Sequence, residues 1–253
     1  SEGTHTADGT HVSIYSADDP CAPLPEYADG IAVFGCPLLG DETKQYEYYR
    51  AIAERTPDCR AIIRMPVISP KDPDRQIKYD QQIRAVFRAA SHGEPGILFP
   101  MITSVKEVER IKEICEEVKA ELRSDGIEYS DKIELGIMIE TPAAALISDR
   151  LAPMVDFFSV GTNDLTQYTL ACDRQNPDIE EFIDTHHEAI LRLIEMSAEN
   201  AHKNGAWIGI CGELAADTTL TERFLRMGID ELSVSPSFVL KVRDAVRRTD
   251  LSE

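Results

Sequence analysis

Short runs rich in β-forming residues recur along the chain, and longer segments with the periodicity of a helix separate one run from the next. Several runs are continuously apolar, as at 97–99 and 137–139, which is typical of strands buried on both faces of a parallel sheet. Eight strands are predicted in this way, at 11–17, 30–34, 61–67, 96–102, 133–140, 157–162, 206–212 and 231–234. This alternation constrains the fold more than any single motif does.

The segment 104–123 is the clearest of the predicted helices. Ser104 is suited to cap its start, and Glu107 follows three residues later, at the spacing of a capping box. Further helices are predicted at 46–55, 80–91, 142–150, 188–203, 218–227 and 238–248, and the proline-containing segment 65–81 is predicted to be a loop. Eight strands alternating with helices over 253 residues predict a (β/α)₈ barrel, with a doubly wound open sheet as the alternative.

The balance of charge is strongly acidic. With 45 acidic and 26 basic residues the net charge is −19, which disfavours binding to nucleic acids and to anionic membranes. An anionic substrate would also be repelled at long range, so its site would need a cluster of arginines or a bound cation. No apolar run approaches the roughly 20 residues that cross a bilayer, and the N-terminus lacks the apolar segment of a signal peptide. We therefore expect a cytoplasmic protein, and the alternative is a targeting segment that lies outside these residues.

Polar side chains gather at the ends of the predicted strands, where (β/α)₈ barrels form their active sites. They are Arg64, Glu140, Asn163, Asp164, Cys211, Glu213, Ser233 and Ser235. Glu140 and Asp164 follow neighbouring strands, and two carboxylates so placed can hold Mg²⁺ together with substrate oxygens and water. The alternative is that each carboxylate caps the helix that follows it.

Cys211 precedes a glycine at a strand end, where a substrate can approach its thiol. The alternative is a buried, inert thiol, which is the commoner role of cysteine. Arg64 and Arg174 are candidates to hold a phosphate or a carboxylate through paired donors, and the alternative for each is an ordinary ion pair. His186 and His187 are interpreted as a helix start without chemistry, because no third metal ligand accompanies them.

The sequence lacks the signatures of several common enzyme classes. It contains no Gly-x-Gly-x-x-Gly after a strand, no phosphate loop ending in Gly-Lys-Ser/Thr and no Gly-x-Ser-x-Gly. Dinucleotide binding, ATP binding through such a loop and serine hydrolysis therefore have no support from motifs.

Four ordered segments resemble a known family. They are Met-Ile-Glu-Thr-Pro-Ala-Ala at 138–144, Phe-Phe-Ser-Val-Gly-Thr-Asn-Asp-Leu-Thr-Gln-Tyr at 157–168, Asp-Arg at 173–174 and Cys-Gly-Glu-Leu-Ala at 211–215. In order and spacing they resemble the phosphoenolpyruvate-binding domain of enzyme I, the phosphoenolpyruvate–protein phosphotransferase of the bacterial sugar phosphotransferase system. The resemblance is strong over 84–248 and fainter over 10–64. Pyruvate phosphate dikinase and phosphoenolpyruvate synthase share the same type of barrel more distantly.

The resemblance implies a role for each matching polar residue. Glu140 and Asp164 would bind Mg²⁺, with Asp164 also at the substrate. Asn163 would contact the phosphate of phosphoenolpyruvate, and Arg64 and Arg174 would bind that phosphate and neutralise its charge. These roles are coherent, because transfer of a phosphoryl group needs positive charge on its oxygens.

The resemblance also implies a catalytic acid and a set of partners. Cys211 would protonate the methylene carbon of the enolate that remains after phosphoryl transfer, which yields pyruvate. The phosphoryl group would pass to a histidine on another domain of the same full-length protein, and from there to a small phosphocarrier protein. On this interpretation residues 1–253 form one barrel domain, a fragment of a longer protein, and a homodimer is expected.

Three departures from the family pattern bear on activity. The family has Arg-Thr-Glu at the end of its second strand, where this chain has Gly35-Cys36-Pro37. The segment 65–81 is too short for the Gly-Gly-Asp-Lys loop and the later Asn-Pro-x-x-Gly-x-Arg segment, so a second arginine and a lysine are missing, for which Lys71 and Arg75 are candidate replacements. No Thr-Ser-His motif of the phosphohistidine domain occurs.

These departures keep two other functions open. One is a divergent, non-catalytic or regulatory relative with an altered phosphate site. The other is a lyase or aldolase on the same barrel, which would use Mg²⁺ to stabilise an enolate. The Cys-Gly-Glu-Leu-Ala segment argues against the lyase.

Overall fold

A sheet of parallel strands closes on itself to form a barrel. The computed structural model describes residues 3–17, 27–35, 37–56, 60–68, 71–173, 175–176, 178–179 and 183–252. Eight strands pair in sequence order, all parallel, and the last pairs with the first, with Ser13 opposite Glu231 and Ser16 opposite Val234. That pairing confirms the (β/α)₈ barrel and excludes the doubly wound open sheet, because an open sheet has two unpaired edges.

The barrel strands overlap the strand-like runs predicted from the sequence. The strands are β1 Thr4–His5, β2 His11–Ala17, β3 Gly30–Val33, β4 Arg60–Arg64, β5 Pro95–Phe99, β6 Glu134–Ile139, β7 Phe157–Gly161, β8 Trp207–Cys211 and β9 Glu231–Val234. The barrel consists of β2 to β9, and the predicted bounds of β2 and β9 are confirmed. The short β1 pairs antiparallel with β2 and was not predicted, because two residues are too few to show an alternation.

Nine α-helices lie in the part of the chain that the structure describes. They are α1 Glu42–Arg55, α2 Arg75–Ala89, α3 Val105–Ser124, α4 Pro142–Leu146, α5 Ser148–Leu151, α6 Thr162–Leu170, α7 Glu188–Lys203, α8 Thr221–Arg226 and α9 Val239–Arg248. None of them is both long enough and apolar enough to span a bilayer. The predicted α7 is confirmed at both ends, and Ser104 caps α3 by accepting a hydrogen bond from the Glu107 N–H.

The observed helices differ from the sequence predictions in three places. The predicted loop 65–81 ends earlier, because α2 begins at Arg75. The first turn of α2 contributes no buried side chain, since Gln82 is the first buried residue of this helix. The apolar periodicity therefore begins too late in the sequence to mark where α2 starts. The single helix predicted over 142–150 is two helices, α4 and α5, with Ile147 between them. Helix α6 was not predicted at all.

The core has two layers, which follow from the alternation of side chains along each strand. One layer packs between the strands and the helices. The other fills the inside of the barrel, where Phe157 stacks on Trp207 at 4.4 Å between ring centroids. Next to this ring pair, the Arg60 side chain lies 3.0 Å from Glu134 and 5.1 Å from the centre of the Trp207 ring. These side chains fill the end of the barrel where the strands begin, and they leave the carboxyl ends of the strands for the site.

Candidate active site

Four of the predicted site residues, Glu140, Asn163, Asp164 and Cys211, meet where β6, β7 and β8 end. These three strands are neighbours in the barrel, and Gly161 at the end of β7 pairs with Cys211 at the end of β8. Glu140 follows β6 directly, and Asp164 lies in the first turn of α6, which follows β7 without a loop. Parallel pairing therefore brings residues from distant parts of the sequence to one mouth.

Glu140 is held in place from the neighbouring strand. Its side chain is almost fully buried, at 2% exposure, and its Oε1 accepts a hydrogen bond of 2.6 Å from the backbone N–H of Met101. Met101 has a φ of 58°, a left-handed conformation that is uncommon for a residue with a side chain. Sequence reasoning missed Met101, because a backbone donor leaves no signal in residue type.

Glu140 does not cap the helix that follows it. Thr141 caps α4: its hydroxyl accepts a 3.1 Å hydrogen bond from the Ala144 N–H and donates one of 2.7 Å to the Ile102 carbonyl. Glu140 therefore does not cap α4, and Asp164 is its neighbour at the mouth.

The carboxyl groups of Glu140 and Asp164 are neighbours in the mouth. Burial raises the pKa of Glu140 to about 7, and the charge of Asp164 raises it as well, against the opposing effects of the Met101 N–H and of Arg64. Glu140 also packs directly against Gly161 at the end of β7, where a Cβ would lie 2.9 Å from the Glu140 Cβ.

These two carboxylates fit a divalent cation of the hard type. They supply oxygen ligands. A divalent cation would also relieve the electrostatic repulsion between two carboxylates that lie close together in a partly buried site. Among the described residues no group of three or more His, Cys, Asp and Glu side chains is arranged to hold a metal ion. A cation here would take two protein ligands and fill its other positions with substrate and water, the usual arrangement for Mg²⁺.

The ends of β7 and β8 are tied together by side chains. Thr162 donates its hydroxyl to the Cys211 carbonyl at 2.9 Å, and Asn163 Oδ1 accepts a 3.1 Å hydrogen bond from the Glu213 N–H. Gly212 is required between them: its φ is 90°, and a Cβ would lie 2.6 Å from the Thr162 hydroxyl. Asn163 thereby has a fixed orientation at the mouth.

Cys211 points into the barrel. The residue is 6% exposed, its thiol donates to the Val160 carbonyl at 3.4 Å, and the Ser159 hydroxyl donates to its sulfur at 3.6 Å. Burial raises the pKa of the thiol to about 12, only partly offset by Ser159, and the charges of Glu231 and Glu140 raise it further. The thiol therefore keeps its proton at neutral pH.

Ser159 was not among the predicted site residues. The signal that could have found it is the two-residue alternation of β7, in which Ser159 and Gly161 occupy positions on the same face. Gly161 was placed next to Glu140 only by the structure.

Arg64 is the last residue of β4 and lies on another side of the mouth. Its Nε and Nη2 donate to the Phe34 carbonyl at 3.1 and 2.7 Å. Its charge lowers the pKa values of both Glu140 and Cys211, so the guanidinium lies near both groups. Arg174, the second predicted phosphate ligand, lies outside the described residues.

Other candidates of the sequence lie elsewhere. Ser233 is buried and donates its hydroxyl to Glu231 inside the barrel at 2.5 Å. His187 caps α7 through Nδ1, and His186 contacts Asp217 at 2.6 Å. Arg75 begins α2, and its guanidinium lies 5.5 Å above the Tyr79 ring.

Comparison with known sequences bears on what this mouth is for. The family described as "PEP-utilising enzyme, PEP-binding domain", where PEP is phosphoenolpyruvate, matches residues 63–251. The chain belongs to this family. Named relatives are phosphoenolpyruvate-protein phosphotransferases: that of Listeria monocytogenes is 48% identical over 68% of this chain and 30% of its own length. That of Streptococcus equinus is 34% identical over 99% of this chain and 50% of its own length. The chain thus spans half or less of these relatives.

Solved structures share the barrel at low sequence identity. The malate synthase of Haloferax volcanii in its magnesium and glyoxylate complex has a TM-score of 0.64 at 14% identity, covering 97% of this chain and 76% of its own. A citrate lyase from Burkholderia xenovorans has a TM-score of 0.62 at 15% identity, covering 94% and 77%. Likeness at this level of identity is a likeness of fold alone.

Proposed function

We propose that this chain is the barrel that binds phosphoenolpyruvate and Mg²⁺ in a phosphoenolpyruvate–protein phosphotransferase. The observation that carries the proposal is that the ends of neighbouring strands bring Glu140, Asp164 and the buried Cys211 together, with Asp164 near enough to raise the pKa of Glu140. Family membership supports the same substrate. The two carboxylates would hold the cation, and Asn163, Arg64 and Arg174 would bind the phosphate.

Each residue of the site has a part in the reaction. When bound, Mg²⁺ supplies positive charge for the phosphate and enolate oxygens. Arg64 adds a fixed positive charge near Glu140, and Asn163 is oriented by its bond to the Glu213 N–H. The bond between phosphorus and the enol oxygen breaks as a bond from a histidine nitrogen to phosphorus forms, and the enolate of pyruvate is left in the mouth.

Cys211 would then complete the reaction. Its buried thiol, with a pKa raised to about 12 by burial, holds its proton until the enolate forms. The proton passes to the methylene carbon, the product is pyruvate, and the thiolate recovers a proton from solvent. Burial suits this role, because an acid that lost its proton at neutral pH would have none to give.

The remaining parts of the proposal concern the longer protein. We take residues 1–253 as one barrel domain, and the acceptor histidine would lie on another domain of the same full-length protein. The phosphoryl group would then pass to a small phosphocarrier protein of a sugar transport system. A cytoplasmic homodimer agrees with the family resemblance.

Titration calorimetry of the purified chain with phosphoenolpyruvate, with and without Mg²⁺, tests the proposal. Binding should require Mg²⁺, and Glu140→Gln should weaken it by about tenfold or more, since a charged metal ligand becomes neutral. Glu199→Gln removes an exposed carboxylate on α7, which pairs with Lys203, and should leave binding unchanged.

A folded chain that binds no phosphoenolpyruvate at millimolar concentration would refute this function. The shortened segment after Arg64 would then favour the non-catalytic relative. Cleavage of a carbon–carbon bond by the purified chain would instead favour the lyase.

A further inference from the structure

A second pocket lies outside the ring of strands, between the first turns of α2 and α3 and the ends of β4 and β5. Its volume is about 680 Å³, within the range of roughly 300–1,000 Å³ typical of small-molecule sites. Its apolar wall is formed by Met65, Ile83, Phe99, Ile102, Ile111 and Ile114. Arg64, Glu140, Asn163, Asp164 and Cys211 do not line it, so it is distinct from the candidate active site.

One wall of this pocket is held rigidly. The Tyr79 hydroxyl donates to the Pro66 carbonyl at 2.9 Å and accepts from the Ile68 N–H at 3.2 Å. These bonds fasten Pro66 and Ile68 to α2 on one side of the pocket. Val67 lies at its rim and is 65% exposed, which leaves an apolar side chain for an occupant to cover.

The residues that line the pocket carry a net charge of opposite sign to that of the whole chain. Three basic residues and one acidic residue line it, although the net charge of the chain is −19. The acidic residue, Glu107, is engaged by the Thr103 N–H and hydroxyl, and Arg110 is paired with Glu113 and Glu117.

Two cations remain at the rim. Arg75, above the Tyr79 ring, and Lys106, in the first turn of α3, have no carboxylate partner among the described residues. The start of the 20-residue helix α3 adds positive potential of its own. An anionic group placed here would therefore find charge that the protein has not neutralised.

We propose that this pocket binds a small organic anion with an apolar body, such as an aromatic sulfonate or carboxylate. The apolar body would lie against the isoleucine and phenylalanine wall, and the anionic group would lie toward Arg75 and Lys106. Met101 also lines the pocket, and its N–H is the donor to Glu140. An occupant therefore contacts the residue that positions this carboxylate.

Fluorescence titration of the full chain with 8-anilinonaphthalene-1-sulfonate tests this site. The probe should bind saturably, and Lys106→Glu should weaken it by about tenfold, equivalent to roughly 1.4 kcal/mol. Ile111→Trp should also weaken it, by filling the pocket. Lys241→Glu makes the same charge change on α9, next to Phe238, and should leave the affinity unchanged.

The absence of saturable binding to the folded chain would overturn this site. So would an affinity that neither Lys106→Glu nor Ile111→Trp alters, since the probe would then bind elsewhere. Lys106 is exposed, so its variant should fold and report even if Ile111→Trp does not. The titration needs neither phosphoenolpyruvate nor Mg²⁺ and is therefore independent of the proposed function.

Discussion

Burial sets the protonation of single residues in this barrel. Two cysteines illustrate the point, because burial raises the pKa of both Cys115 and Cys211 to about 12. Cys115 lies on α3 in the outer layer of the core, whereas Cys211 faces the interior next to Ser159. Both thiols therefore keep their protons at neutral pH. Only the position of Cys211 at the site, and not its protonation, makes it a candidate acid, whereas Cys115 is an inert core residue.

This difference predicts the outcome of two matched substitutions. With pyruvate and Mg²⁺ in deuterated water, Cys211→Ala should slow exchange of the pyruvate methyl hydrogens by about a hundredfold or more, the usual contribution of a positioned acid or base. Cys115→Ala should leave the exchange rate unchanged while lowering stability. Nuclear magnetic resonance measures the exchange, and equal rates in the two variants would remove Cys211 from the chemistry.

At the scale of elements, short helices depend on contacts beyond their own length. Helix α4 has five residues, too few to be stable alone. Thr141 caps it and also binds the Ile102 carbonyl after β5, so one buried hydroxyl joins two loops. Ser104 caps the much longer α3 by accepting an exposed bond of 3.4 Å from the Glu107 N–H, and its hydroxyl donates to the Glu107 carboxylate at 3.0 Å.

Removal of these two hydroxyls should have unequal effects. Thr141→Ala should lower the free energy of unfolding by about 2 kcal/mol, because it removes a cap and leaves a buried carbonyl unpaired. Ser104→Ala should cost only about 0.5–1 kcal/mol. Urea denaturation measures both, and a loss at Ser104 as large as that at Thr141 would contradict this account.

At the scale of the whole molecule, closure of the barrel encloses a carboxyl group. Glu231 begins β9 and is 4% exposed. Burial raises its pKa to about 8, and the Ser233 hydroxyl and the charge of Arg60 offset this only in part. Since the ordinary value is 4.5, the folded protein holds a proton on Glu231 over a range of pH in which the unfolded chain has released it.

The sign of the pH dependence follows from this shift. The folded state binds the extra proton, so the contribution of Glu231 to stability is greatest below about pH 4.5 and declines as the pH rises to about 8. Glu231→Gln should therefore reduce the loss of stability between pH 5 and pH 8 and make the protein more stable than the parent at pH 8. Some loss of stability between pH 5 and pH 8 should remain in this variant, because the pKa of Glu140 is also raised by burial.

Denaturation at the two pH values checks this prediction, with Glu199→Gln as the exposed control. An unchanged difference in stability between pH 5 and pH 8 in Glu231→Gln would show that the carboxyl group does not titrate in this range.

Local sequence by itself determined the type and order of the main elements. The strand-like patterns of β2 and β9 and the periodicity of α7 were sufficient to place these elements at their observed bounds, because burial of one face or of both faces leaves a repeat in the sequence. The ordered motifs likewise indicated the family and the residues at the strand ends.

Tertiary structure decided the rest. The start of α2 and the existence of α6 depend on packing that the local pattern does not encode. The contact of Met101 with Glu140 and that of Ser159 with Cys211 join residues 39 and 52 positions apart. Such contacts depend on the register between neighbouring strands and on closure of the barrel. Each strand carries its own repeat, but its alignment with the next exists only in the assembled sheet.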